Sequence, residues 1–297
     1  MKKIKLFTLS FLISSAISAQ NYFEEFQKHQ RNEDTLKQRE LLNTWERKDP
    51  NNAELYTSKF NYYFNMSMNE VIMLTDEAPK TDEEYITISD STNNVAGYMT
   101  SQMDYEKTNI DLAFESINKG IKLHPNRLDM RFGKIYVLGK TKDWRGFTDE
   151  LVTTITYSAE NNNEWTWTLN KAKENGKEFF LGSIQDYQMQ LYNTMDDNLL
   201  DNMQEIAEAV LKYYPGHIES LANSAITHIV KKEYEKALKP LKKAEEINDK
   251  DFIVLNNIAF CYKELKQKEK AIEYYNKVIK YGDARGIEQA KSEIKKL

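Results

Sequence analysis

Apolar positions recur at three- and four-residue spacing through most of the chain, the period of an amphipathic helix, with short polar breaks between the stripes. The pattern is regular in "IESLANSAITHIVKKEYEKALKPLKKAEEIND" and "FIVLNNIAFCYKELKQKEKAIEYYNKVIKYGD", where Lys231 to Glu233 and Lys266 to Glu269 each separate two helical stripes. Each segment predicts a helix hairpin. One stretch departs from this period. "YITISDSTNNVAGYMT", Tyr85 to Thr100, alternates apolar and polar residues around a turn-forming centre and predicts a β-hairpin.

Whether the turn of that hairpin is Ser91 to Asn94 or only Asn93-Asn94, cross-strand partners sum to an odd number. Ile86 and Ile88 then share a face with Val95, Gly97 and Met99, and Tyr85, Thr87, Tyr98 and Thr100 form the other. Ordering sixteen residues costs on the order of 16 to 32 kcal/mol, and an isolated ribbon is marginal at best. The expectation is a hairpin docked through its Ile86 face against a core, so that Ile86→Asp lowers stability and Tyr85→Ala does not.

The two helical segments align with each other. Leu221 falls opposite Leu255, Ala225 opposite Ala259, His228 opposite Tyr262, Ala237 opposite Ala271, Leu241 opposite Tyr275 and Ala244 opposite Val278, every pair 34 residues apart. Small residues mark places where two helices approach closely, and the larger ones fill the space beside them. These residues resemble the tetratricopeptide repeat (TPR), a 34-residue helix-turn-helix with small residues at its eighth and twentieth positions and often proline at its thirty-second. The same register reaches Pro215 in "VLKYYPGH", Ala113, Ile117, Gly120 and Pro125 in "LAFESINKGIKLHPNR", and Gln38, Leu42, Trp45 and Pro50 in "LKQRELLNTWERKDPNN". Gln38 and Phe147 stand where a small residue is usual.

The period also measures insertions. Pro125 to Pro215 is two repeats plus 22 residues, and Pro50 to Pro125 is one repeat plus 41, so two surplus segments must interrupt the array. The plan is a leader over 1–19, an N-terminal helical repeat region over 20–66, an insertion with the hairpin over 67–104 and TPR-like helices over 105–158. An aromatic-rich insertion over 159–180, C-terminal repeats over 181–283 and a capping helix over 284–297 follow. The fold class is mostly all-α, an α-solenoid of TPR-like helix hairpins with one inserted β-hairpin and a second aromatic-rich insertion. Composition agrees, with 40% hydrophobic residues for a core and only five prolines and ten glycines.

The opening "MKKIKLFTLSFLISSAISAQ" has three lysines, an apolar run from Leu6 to Ile17 and then small residues, the layout of an export signal cut after Ala19. The run is short of the roughly 20 residues a membrane span needs. The expectation is an exported protein, periplasmic or extracellular, without stable membrane insertion once the signal is cut. Removing Lys2, Lys3 and Lys5 leaves 38 basic residues against 46 acidic ones, a formal charge of -8. That surface excludes nucleic acid as a natural partner. Cys261 is the single cysteine, so disulfides contribute nothing.

Chemistry is sparse. The four histidines, His29, His124, His217 and His228, lack metal-ligand spacing, and no phosphate-binding glycine loop or nucleophile elbow occurs. The expectation is no enzyme, no metal and no cofactor. Asp34-Thr-Leu36 and Asp90-Ser-Thr92 resemble the acceptor tripeptide used for O-glycosylation in certain exported bacterial proteins. In the repeat family, first helices of successive units line a groove that takes peptide, and the resemblance implies partner-binding residues Glu219, Ala222 and Ile226, then Asn256, Phe260 and Lys263. Tyr85 and Tyr98 on the hairpin, and Trp165 and Trp167 in "EWTWTL", are further candidates. The function expected is a scaffold for another protein or peptide; the alternative is a small-molecule or glycan binder using the hairpin and the tryptophan loop.

Overall fold

The computed structural model describes residues 21–79 and 85–297; the leader expected over 1–19 lies outside the described residues. Helix α1 covers residues 21–31, followed by α2 (Thr35–Lys48) and α3 (Ala53–Ser67). Strands β1 (Met68–Thr75), β2 (Tyr85–Ser89) and β3 (Val95–Tyr105) come next, then α4 (Lys107–Leu123), α5 (Leu128–Lys140) and α6 (Trp144–Glu160). A small ribbon of β4 (Thr166–Trp167) and β5 (Lys171–Ala172) precedes α7 (Gly176–Asn193) and α8 (Leu200–Tyr213). The chain closes with α9 (Ile218–Val230), α10 (Tyr234–Ile247), α11 (Phe252–Glu264), α12 (Lys268–Tyr281) and α13 (Ala284–Lys296). Two compact units divide it: the described residues up to Val137 with Thr166–Ala172, and Leu138–Trp165 with Lys173–Leu297.

Sequence signals set these boundaries. Asp34, Asn52, Glu106, Asp143, Asp251 and Asp283 each accept backbone N–H bonds at the start of a helix, satisfying donors that have no intrahelical partner. Four helix-to-helix turns repeat one motif. Glu33, Lys142, Lys232 and Lys266 sit at φ 54, 57, 60 and 59°, and the residue after each donates back to the carbonyl five positions earlier. This is the left-handed C-terminal cap that usually takes glycine, here made by charged residues.

In the first unit, α3 packs on α4, with Phe60, Ile110, Ala113, Ile117, Met130 and Val137 forming one core and Phe26, Leu42, Trp45, Leu55 and Tyr56 another. Gly120 is where α4 presses closest: a Cβ there would lie 2.7 Å from that of Tyr56. Gln38 and Phe147, which replace small residues, are both buried. In the second unit each helix from α8 to α13 packs on the next. The hairpins α9–α10 and α11–α12 match at all four helix ends with an offset of 34, Ile218 with Phe252 and Tyr234 with Lys268 among them. Ala225, Ala237, Ala259 and Ala271 are fully buried in the core these hairpins share. The helical spacing, small-residue positions and hairpin offset together make the fold TPR-like.

The inserted sheet differs from expectation in three ways. It has three antiparallel strands in the order β1-β3-β2, because Met68 to Thr75 pairs along β3 from Tyr105 to Tyr98. The Ile86↔Met99 and Ile88↔Gly97 pairs keep the expected parity, but a bulge after Ile88 sets Val95 opposite Ser89. Most importantly, the Ile86 face is not docked: Ile86 is 61% exposed. The eight-residue β1–β3 ladder, and not a helical core, supplies the support that the ribbon needed.

Candidate functional site

The sheet is planted in the turn between α3 and α4. Ser67 closes α3, the Glu106 N–H donates to the Ser67 carbonyl at 2.7 Å, and Tyr105 stacks on Phe64 at 5.7 Å. Above that base no strand buries a row of side chains. Cross-strand register places Ile72 and Leu74 of β1, Ile86 and Ile88 of β2, and Met99 and Met103 of β3 on a single face. Ile72 is 65% exposed and Leu74 70%, so this face is an apolar patch open to solvent. A contiguous exposed apolar surface marks an interaction site.

A cleft of about 500 Å³ opens there between Glu70, Ile72, Ile86, Met99 and Ser101, with Tyr85 and Thr100 also lining it. Glu70 accepts a hydrogen bond from the Ser101 hydroxyl across the β1–β3 pair. Between Met68 and Tyr105 the sequence carries eight acidic residues and a single basic one, Lys80. Five of the eight, Glu70, Asp76, Glu77, Asp90 and Asp104, are among the described residues, so the described sheet is apolar on this face and carries a net negative charge. Tyr85 and Tyr98 lie on the opposite face, ring edge to ring face at 5.5 Å, with Tyr85 exposed and Tyr98 half-buried.

The helical candidates fall on two helices of the second unit. Glu219, Ala222 and Ile226 run along one side of α9, Asn256, Phe260 and Lys263 along one side of α11. Glu219 is exposed and lies 3.2 Å from His217 Nε2; Ala222, Ile226 and Asn256 are half-buried. Phe260 meets the edge of Tyr234 at 6.0 Å, and Lys263 donates to Glu293 of α13 at 2.7 Å, so both already have partners within the chain. That ion pair holds the Glu293 carboxyl below its usual range and the Lys263 ammonium above its own.

The tryptophan pair is corrected. Trp165 is 1% exposed, between Tyr157 at 5.9 Å and Phe180 at 5.5 Å, and cannot meet a partner. Trp167 is half-buried against the edge of Phe132. The Trp165 backbone N–H donates to the Asn163 carbonyl in the turn that follows α6, whereas Trp167 belongs to the β4–β5 ribbon. Asp34 and Asp90 of the two glycosylation-like tripeptides have structural work: Asp34 caps α2, and Asp90 accepts from the Thr92 and Asn94 N–H groups to shape the β2–β3 turn. His228 sits 2.8 Å from the Glu233 carboxylate at the α9–α10 turn.

One cluster went unread in the sequence. Arg127, 1% exposed, donates to Glu54 Oε1 at 2.6 Å, Glu54 Oε2 at 3.2 Å, Asp129 Oδ1 at 2.8 Å and Asp129 Oδ2 at 2.7 Å. Asn170 Oδ1 accepts a further bond at 3.3 Å, and the Leu169 N–H donates to Glu54 at 2.7 Å. Burial works against the guanidinium's charge, but the bonds to Asp129 and Glu54 outweigh it and hold Arg127 above its ordinary range. Pro125, ending the preceding repeat two residues earlier, was the available signal, but Glu54 is 73 positions away.

Among the described residues no group of three or more His, Cys, Asp or Glu could hold a metal ion, and no helix is long and apolar enough to cross a membrane. Residues 216–297 match the family model described as regulator of microtubule dynamics protein 1-3, somewhat over a quarter of the chain. No curated protein matches the sequence. Among solved structures, the C-terminal part of a TPR repeat-containing protein from Cytophaga hutchinsonii is 14% identical, with a TM-score of 0.43, covering 87% of this chain and 78% of that one. YrrB, described as a TPR protein with an unusual peptide-binding site, is 12% identical at a TM-score of 0.39, over 63% of this chain and 85% of its own. A thermophilic TPR protein from Thermus thermophilus is 14% identical at 0.37, over 63% and 91%. This chain's own 34-residue hairpins carry the conclusion: its fold is TPR-like, with a three-stranded sheet set into one hairpin turn.

Proposed function

We propose that this protein is an exported scaffold without catalysis of its own, which holds a polypeptide partner. The observation that carries the reading is the apolar face of the inserted sheet, where Ile72, Leu74 and Ile86 are each more than half exposed. Solvated apolar area of this kind gains roughly 25 cal/mol per Å² when a partner covers it, and a rigid helical array is a suitable mount for it. The α9 and α11 face with Ala222, Ile226, Asn256 and Phe260 is the second contact, in keeping with the use of first helices for peptide in repeats of this kind. Export rests on the composition of residues 1–19.

The test is a photo-crosslinking residue placed at Ile86, and separately at Phe260, in the cells that make the protein. One discrete polypeptide adduct at Ile86, lost when Ile72→Asp is added, on a chain whose recovered N-terminus is Gln20, supports the reading. Absence of any adduct from both positions refutes the scaffold.

A further inference from the structure

The apolar face has an open edge beside it. Among the described residues β1 pairs on one side only, with β3, and its other side offers a row of backbone N–H and C=O groups along eight residues, roughly 27 Å at about 3.4 Å per residue. Natural sheets blunt such an edge with lysine, proline or a bulge. This one has none of them between Met68 and Thr75, where its one charge is the negative Glu70 near the foot of the strand, and it carries four successive apolar residues, Val71 to Leu74. An edge left regular, unbulged and free of positive charge can accept an added strand.

Charge selects what that strand must be. The described residues between Met68 and Tyr105 include Glu70, Asp76, Glu77, Asp90 and Asp104 and no Lys, Arg or His, and none of the five forms an ion pair among the described residues. Residues 68–105 carry eight acidic residues against one basic, a net charge of -7, out of the -8 of the chain without residues 1–19, so the negative charge is concentrated in this insertion. A second copy of this sheet would bring like charges together, and an anionic membrane would repel it. A cationic polypeptide meets both needs.

We infer that the free edge of β1 takes a basic, strand-forming segment of another polypeptide. Alternate apolar side chains of that segment continue the Ile72, Leu74 and Ile86 face, and its lysines and arginines project from the other face, the one that carries Asp104, with Glu70 at the foot of the apolar face and Asp76 beyond Thr75 adding to the negative field. Main-chain bonds supply the adhesion, and the acidic surround supplies the discrimination. This inference rests on the scaffold reading and names the chemistry of its partner.

The test uses the mature full-length chain and two fluorescent ten-residue peptides alternating valine or isoleucine with lysine or arginine in one, and with glutamate in the other. The basic peptide is expected to bind at least tenfold tighter by anisotropy, and to lose about tenfold between low and high salt. Reversing Glu70 and Asp104 together to lysine is expected to remove most of the difference between the two peptides. N-methylation of alternate amides along one edge of the basic peptide abolishes binding, whereas the same change along its other edge does not. Equal binding of both peptides, no binding of either, or indifference to both methylated forms overturns the inference. A dimer formed through Ile86 in sedimentation overturns it as well. Should Ile86 crosslink a partner in cells while the basic peptide fails to bind, the strand chemistry falls and the scaffold stands.

Discussion

Replacing Arg127 by methionine keeps most of the side-chain volume and removes the guanidinium that joins the start of α3 to the start of α5. Four charge-assisted bonds to Glu54 and Asp129 disappear with it. Glu54 is then left buried with the Leu169 N–H as its strongest remaining donor. Breaking a buried ion pair from one side costs about 3 to 5 kcal/mol, because the surviving charge has lost its compensation. Urea unfolding of the first unit, followed by the fluorescence of Trp45, should show it. At a slope of roughly 1 to 3 kcal/mol per molar, the midpoint falls by more than about 1 M. Adding Glu54→Gln removes the stranded charge, so the double variant should be more stable than Arg127→Met alone, a non-additivity that a double-mutant cycle reads directly. Amide exchange at Leu169 should also accelerate, since the turn with φ 59 and 53° at Leu169 and Asn170 is held by the same cluster. A loss under about 1 kcal/mol, or additive effects, would refute this account of the cluster.

Two further outcomes separate packing from binding. Trp165→Ala should cost about 3 to 5 kcal/mol, as for other large aromatic truncations in a core, and a melting curve of the second unit that fails to move would restore Trp165 as a surface residue. Burial in α11, with the Glu264 carboxylate nearby, pushes the Cys261 thiol up to about 12. The native protein should therefore resist iodoacetamide at pH 8 and react once unfolded. The folded state favours the neutral thiol, so its contribution is complete below the ordinary thiol value near 9 and is lost as pH rises from there toward 12. Stoichiometric labelling of the native chain would contradict this.

The repeats were legible because their signal is local and periodic. Ala225, Ala237, Ala259 and Ala271 sit at fixed offsets, and close helix packing admits little else there. The β2–β3 register followed from parity alone up to the bulge that displaced Val95. β1 was not legible, since "MNEVIMLT" runs four apolar residues together and lacks the alternation that betrays a strand. Without β1 the ribbon has no support short of a core, and the open face, which is the candidate site, takes the place of a buried one. Trp165 and Trp167 escaped for a related reason: which ring is enclosed depends on Tyr157 and Phe180 around the one and Phe132 beside the other, contacts that spacing does not encode. Arg127 depends on contacts 43 and 73 positions away, beyond any local pattern.

The way the sheet joins the helices makes it exchangeable. Its two ends are paired residues, Met68 opposite Tyr105, and the chain closes beneath them through the bond from Glu106 to Ser67. A turn as short as that from Lys231 to Glu233 spans the same kind of gap between α9 and α10. Replacing residues 68–105 by a turn of that length would let α3 and α4 meet as an ordinary hairpin. The sheet is a cassette whose contact with the helices is confined to its base, where Tyr105 stacks on Phe64 and Glu106 bonds to Ser67.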